Sequence, residues 1–141
     1  MNYLLDTNIV SEWTKPRPNV GIVRWLDEVD EDRIFLSVVT VAEVRFGIDV
    51  LPAGARRTRL AAWLSHDLIG RFEGRILPVD AAIADRCGHL LAHGRTIGRP
   101  FDAFDALLAA TASCHHLTLI TRNVHDFELA GTLLYDPWTD N

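Results

Sequence analysis

A chain of 141 residues with net charge −5, 48% apolar and 23% charged residues has the size and balance of one soluble globular domain, taken here as 1–141. It is long enough to bury roughly 70% of its unfolded surface, so it needs neither disulfide nor metal to fold. No apolar run reaches about 18 residues, which excludes a membrane-spanning helix, and the acidic balance argues against a dedicated basic nucleic-acid-binding module but not against an enzyme acting on nucleic acid.

The start lacks a basic segment followed by an apolar leader. Cys87 and Cys114 form neither a CxxC nor a zinc spacing. Both features fit a cytoplasmic protein with reduced thiols. Basic residues are grouped, as Arg56, Arg57 and Arg59, then Arg71 and Arg75, then Arg95 and Arg99.

In chain order, the apolar run Tyr3 to Leu5 predicts a buried strand. Val20 to Val29 carries Ile22, Val23, Trp25, Leu26 and Val29 at helical spacing. Arg33 to Val39 (RIFLSVV) is branched and aromatic and predicts a second strand. Thr40 is placed to cap a following helix, VAEVRFGIDVL, with Glu43 at capping-box spacing. Pro52 to Gly54 breaks the pattern before a helix over Arg56 to Ile69. Arg75 to Val79 predicts a short strand whose Pro78 belongs at an edge. Asp80 to Arg95 is helical, TIGRP is a loop, and the Ala- and Leu-rich Asp102 to His115 is a helix. Leu117 to Thr121 is a strand, and LLYDPW a last short strand closed by Pro137. Strands alternate with helices throughout, which predicts an α/β fold with a parallel sheet flanked by helices.

Ligands of such sheets bind outside the carboxyl ends of the strands. Asp6 falls there, in LLDTN, and so do Asn123 and Asp126 after LTLIT. Glu43 and Asp105 lie in the first turns of helices, Asp105 one turn after Asp102, which is read as the cap. Carboxylates brought together repel one another and are costly to desolvate, so a cluster of them calls for a cation. Oxygen-only donors select Mg²⁺ or Mn²⁺. Such an ion can activate water and stabilise an in-line phosphoryl displacement. Each acid also has a plainer role: Asp6 as a turn residue, Glu43 as the capping partner of Thr40, Asp126 as the start of a turn.

The stretches LLDTNIVSE, SVVTVAEVRFGI, DALLAATA, LTLITRNVHDF and DPW, in that order, resemble the PIN-domain ribonucleases, and more narrowly the FitB-like branch of the VapC toxins of toxin–antitoxin pairs. The resemblance covers essentially the whole chain. It implies a PIN-like parallel sheet, RNA cleavage with Mg²⁺ or Mn²⁺, a homodimer, inhibition by a VapB-type antitoxin, and contact with operator DNA only through that antitoxin. Carried over residue by residue, Asp6, Glu43 and Asp105 match the three family acids and are the expected metal ligands and catalytic groups. The fourth place falls to Asn123, as a neutral ligand, or to Asp126, as an acid. Thr7, Asn8 and Thr121 are the expected supporting residues.

Two rival readings accompany this one. Asn123 in place of an acid favours a PIN domain that binds RNA without cutting it. Asp6 as the nucleophile of a haloacid-dehalogenase-type phosphatase asks for a second Asp two residues on, where this chain has Asn8. His89 and His93, four apart, lack a third zinc ligand at suitable spacing and fit a solvated helix face. Trp25 and Trp63 sit on apolar stripes and are expected in the core or at an interface, which makes the helices Val20–Val29 and Arg56–Ile69 candidates for dimer or antitoxin contact.

Overall fold

In the computed structural model, which describes residues 1–139, the strand β1 (Tyr3–Leu5) lies at the centre of the sheet. The chain continues through α1 (Thr7–Glu12), α2 (Val20–Glu28), β2 (Ile34–Ser37) and α3 (Val38–Asp49). Then come α4 (Ala55–Ala62), a π-helical turn over Trp63–Leu68, α5 (Ile69–Arg71) and β3 (Ile76–Leu77). The second half comprises α6 (Ala81–Thr96), α7 (Ala103–Cys114), β4 (Thr118–Ile120), α8 (Val124–Phe127) and β5 (Leu134–Tyr135).

All pairings are parallel, in the order β3-β2-β1-β4-β5. β1 is in register with β2 through Tyr3 and Ile34, and with β4 through Leu4 and Leu119. Successive side chains of a strand point to opposite faces. Leu4 and Leu119 therefore enter one core layer with α6 and α7, while Leu5 and Ile120 enter the other with α1, α2 and α3. The alanines Ala106, Ala109, Ala110 and Ala112 of α7 are fully buried, so small side chains let that helix lie close to its neighbours. The chain first winds outward from β1 to β2 and β3, then returns to place β4 on the other side of β1. That reversal is a topological switch point, the place where a ligand crevice opens in such sheets.

Several boundaries differ from the sequence expectation. Helix α3 begins at Val38 and is capped by Ser37, whose Oγ accepts from the Val39 N–H at 3.0 Å. Thr40 is buried inside the helix with its hydroxyl unpartnered among the described residues, so the Thr40–Glu43 capping box does not form. The branched Val38 and Val39 mimic a strand, yet a Ser cap at the end of β2 starts the helix first. Helix α1 follows β1 directly, a segment with no helical expectation. The Arg56–Ile69 helix runs on to Arg71 through the π turn, with Leu64, Leu68 and Phe72 buried at four-residue spacing. The edge strands β3 and β5 hold only two residues each, shorter than RILPV and LLYDPW suggest, and Pro78 ends β3 as its missing N–H requires. Trp25 is spent in the core, edge-on to Tyr3 at 5.2 Å between centroids. Among the described residues no helix is long and apolar enough to cross a membrane.

Candidate active site

β1 and β4 end side by side at the switch point, and their next residues are Asp6 and Thr121. The Asp6 N–H donates to the Ile120 carbonyl at 2.9 Å, which ties the end of β1 to β4. Asp6 is only 5% exposed. Its Oδ1 accepts from the Thr7 N–H at 2.7 Å, and its Oδ2 accepts from the Thr121 hydroxyl at 2.8 Å. Thr121 Oγ1 in turn accepts from the Asn123 N–H at 2.9 Å. The carboxylate is thus oriented by the first residue of α1 on one side and by the loop before α8 on the other.

Thr7 links the next acid. Its hydroxyl donates to Glu43 Oε1 at 2.9 Å, joining α1 to α3. The sequence separation of 36 residues is bridged because β2 places α3 beside α1. Asp105 comes from the first turn of α7, whose cap is Asp102. The Asp102 carboxylate accepts from the N–H groups of Phe104 and Asp105 at 2.9 and 3.3 Å.

The electrostatics show how closely these groups are gathered. Asp105 is pushed up to about 7, first by burial and then by repulsion from Asp6, Asp102, Glu43 and Asp126. Glu43 is raised by burial against the lowering effect of the Thr7 hydrogen bond, with added repulsion from Asp6 and Asp102. Asp6 is raised by burial, opposed by its bonds from Thr121 and Thr7, and raised further by Asp126. Five carboxylates from four segments therefore share one field.

Of the residues expected from sequence, Asp6, Thr7, Glu43 and Thr121 are joined by hydrogen bonds, while Asp105 and the exposed Asp126 act on them through their charge. Asn123 is exposed, and its side chain makes no capping bond to α8. The Asn8 Oδ1 is buried without a partner among the described residues. His89 is exposed and sits 3.5 Å from Asp85 on its own helix, as a solvated face predicts.

Asp102, expected as the cap with a ligand role as the alternative, is the cap of α7, and its charge also reaches Asp105 and Glu43. Sequence reasoning passed over His125, and counted Arg99 only within a basic group. Both line a cavity of about 390 Å³ beside Asp102, Asp105 and Asp126. The signal was their position: Arg99 just precedes the capping Asp102, and His125 adjoins Asp126. A second cavity, of about 690 Å³, opens at Thr7 and Glu43 and carries Lys15, Arg56 and Arg59.

All the donors gathered here are oxygens, a hard set suited to Mg²⁺ or Mn²⁺ rather than zinc. Among the described residues no three His, Cys, Asp or Glu side chains close into a ready-made metal cage. An open set still fits Mg²⁺, which typically takes one or two carboxylates and keeps several waters. A cation also relieves the repulsion that raises Asp105.

A parallel sheet with buried and half-buried carboxylates gathered at its switch point defines the class. Residues 3–131 match the PIN domain, and the chain belongs to that family. It is 38% identical over 137 residues, 97% of this chain and 99% of the relative, to "Toxin FitB" of Neisseria gonorrhoeae. It is 36% identical over 135 residues, 96% of each, to "VapC ribonuclease Y4jK" of Sinorhizobium fredii. These relatives support the FitB-like branch. The solved structure of FitAB bound to an IR36 DNA fragment matches with a TM-score of 0.89 at 35% identity, covering 99% of this chain and 97% of that one.

Proposed function

We propose that this chain is a Mg²⁺- or Mn²⁺-dependent endoribonuclease and the toxin of a toxin–antitoxin pair. The observation that carries the reading is that Asp6 at the end of β1, Glu43 of α3 and Asp105 of α7 act on one another electrostatically in a chain of the PIN family. Relatives named as a toxin and a ribonuclease support it.

In this reading Asp6, Glu43 and Asp105 hold the ion, with Asn123 at the rim. An ion held there would supply Lewis acidity toward the phosphate and make a water a better nucleophile. The remaining work belongs to the chain. Thr121 and Thr7 fix the orientation of Asp6, and the Thr7 hydroxyl fixes that of Glu43. Asp126, exposed beside Asp105, takes the proton released by the attacking water. The buried faces of β1 and β4 keep Asp6 away from bulk solvent.

The partners that accompany this reading are RNA as substrate, a second copy of the chain, and a VapB-type antitoxin through which operator DNA is reached. The solved FitAB–DNA assembly of a relative supports the last of these. The compartment is the cytoplasm, where RNA and antitoxin are found.

The test is cleavage of RNA by the antitoxin-free protein in Mg²⁺, in Mn²⁺ and in EDTA, beside Asp6→Asn. Cutting that needs the ion and is lost in the variant upholds the reading. Metal-dependent cutting that persists in a folded Asp6→Asn protein overturns the site. RNA binding without cutting under every condition supports instead a PIN domain used for binding.

A further inference from the structure

The cavity of about 390 Å³ next to Asp105 falls within the roughly 300–1,000 Å³ range of ligand sites. Its lining is not uniformly acidic, because Arg99 and His125 share it with Asp102, Asp105 and Asp126.

The backbone fixes where Arg99 stands. Helix α6 ends in a Schellman motif: Gly98 takes a left-handed φ of 74°, its N–H donates to the Arg95 carbonyl at 3.3 Å, and the Arg99 N–H donates to the Gly94 carbonyl at 2.8 Å. Gly94 permits this close return of the chain. A Cβ there would meet the Arg99 carbonyl oxygen at 2.7 Å and the Phe101 ring at 3.0 Å. The loop is therefore pressed against α6, and Arg99 is presented at the cavity from a braced support.

The side chain is steadied as well. Arg99 Nη2 lies 3.2 Å from His125 Nε2. A guanidinium only donates, so Nε2 accepts, and a neutral His125 carries its proton on Nδ1. That nitrogen faces Glu128 Oε2 at 3.3 Å. Among the described residues, Arg99 has this ring as its side-chain partner rather than any of the three carboxylates that line the same cavity. Most of its N–H donors remain available, in the planar fork that grips phosphate with two bonds.

We propose that Arg99, steadied by His125, takes a phosphate of the RNA strand at the mouth of the acidic pocket and so positions the strand for cleavage. The inference rests on the ribonuclease reading above. An RNA backbone must approach several carboxylates, and a fixed cation at the entrance offsets that repulsion before the reacting phosphate arrives.

The experiment compares Arg99→Ala, Arg99→Lys and, as a charge control away from the cavity, Arg24→Ala, each checked by thermal unfolding. Steady-state cleavage is measured in the otherwise unchanged protein. Affinity for a fluorescein-labelled single-stranded RNA of random sequence is measured by anisotropy in an Asp6→Asn background with Mg²⁺, over a range of salt. Arg99→Ala is expected to raise KM and weaken binding at least roughly tenfold, to change kcat little, and to flatten the salt slope by about 0.7. Arg99→Lys is expected to recover the salt slope and only part of the affinity. Unchanged KM, affinity and slope in Arg99→Ala overturn the proposal, as does an equal loss in Arg24→Ala. If the unmodified protein cuts no RNA, the binding measurement decides alone. Weaker binding in Arg99→Ala upholds the phosphate contact while the ribonuclease reading fails. Absence of RNA affinity in the protein that keeps Arg99 overturns the contact too.

Discussion

Thr121 donates its hydroxyl to Asp6 Oδ2 at 2.8 Å while accepting the Asn123 N–H at 2.9 Å, so one buried side chain couples the ends of β1 and β4 to the loop before α8. A donor to the charged form of a carboxylate lowers its pKa. The bond therefore opposes the upward push that burial exerts on Asp6.

Thr121→Val removes both halves of this link. It leaves the Asn123 N–H without its partner and Asp6 with one donor fewer. Expected is a loss of about 1–3 kcal/mol in stability and a pH–rate profile whose acidic limb moves to higher pH. Thr121→Ser keeps the hydroxyl and is expected to retain most of both. Urea titration and a pH–rate profile check the pair, and identical profiles for Val and Ser would remove Thr121 from the site.

Asp105 supplies a pH dependence of stability. Its folded pKa, about 7, lies above the ordinary carboxylate value. In the unfolded chain it ionises first, so the unfolded state gains as pH rises. Stability is then full below the unfolded value, near pH 4, and falls progressively up to about pH 7. Asp105 is only partly buried, and solvent screening reduces the effect. In EDTA the Tm is expected to fall over this window, and Asp105→Asn to flatten the fall and raise the Tm at pH 7 by a few degrees. The same variant is expected to lose cleavage if Asp105 holds the ion. A Tm that rises from pH 4 to 7 would contradict this account.

The parallel sheet and the acids were legible because they rest on strong local signals. Apolar runs marked β1, β2 and β4, Asp6 stands just past a strand and Asp105 in the first turn of a helix, whereas Glu43, expected in a first turn, lies in the second turn of α3 because that helix starts at Val38. What was not legible depended on competition between neighbouring signals, or on distance. At the β2–α3 junction two hydroxyls offered themselves as caps. Ser37, the last residue of β2, lies earlier and takes the cap, and Thr40 is carried into the core. Ser37→Ala is expected to cost about 1 kcal/mol. Thr40→Val is expected to be neutral or stabilising, because its hydroxyl is buried with no partner among the described residues. Paired denaturant titrations separate the two roles, and a larger loss at Thr40 would restore it as the cap. Arg99 and His125 were hidden for another reason. They meet across 26 residues of sequence, and nothing local marks such a contact.

Mg²⁺ and protons compete for the same oxygens if the ion rests on Asp6, Glu43 and Asp105. A ligand that binds only the folded state stabilises it by mass action, and its carboxylates must be deprotonated to bind. Burial and mutual repulsion raise all three acids in the metal-free chain, Asp105 to about 7. At pH 7.5, roughly half a unit above that value, added Mg²⁺ is expected to raise the Tm by several degrees and to release protons on binding. Near pH 5 Asp105 holds its proton and the rise is expected to shrink. Asp105→Asn removes both a ligand and a titrating group, so its Mg²⁺ response should be smaller and less dependent on pH. Thermal unfolding and calorimetry in two buffers of different ionisation enthalpy measure the Tm and the protons released. A Mg²⁺ response that is the same at both pH values, and unchanged in Asp105→Asn, would place the ion elsewhere on the molecule.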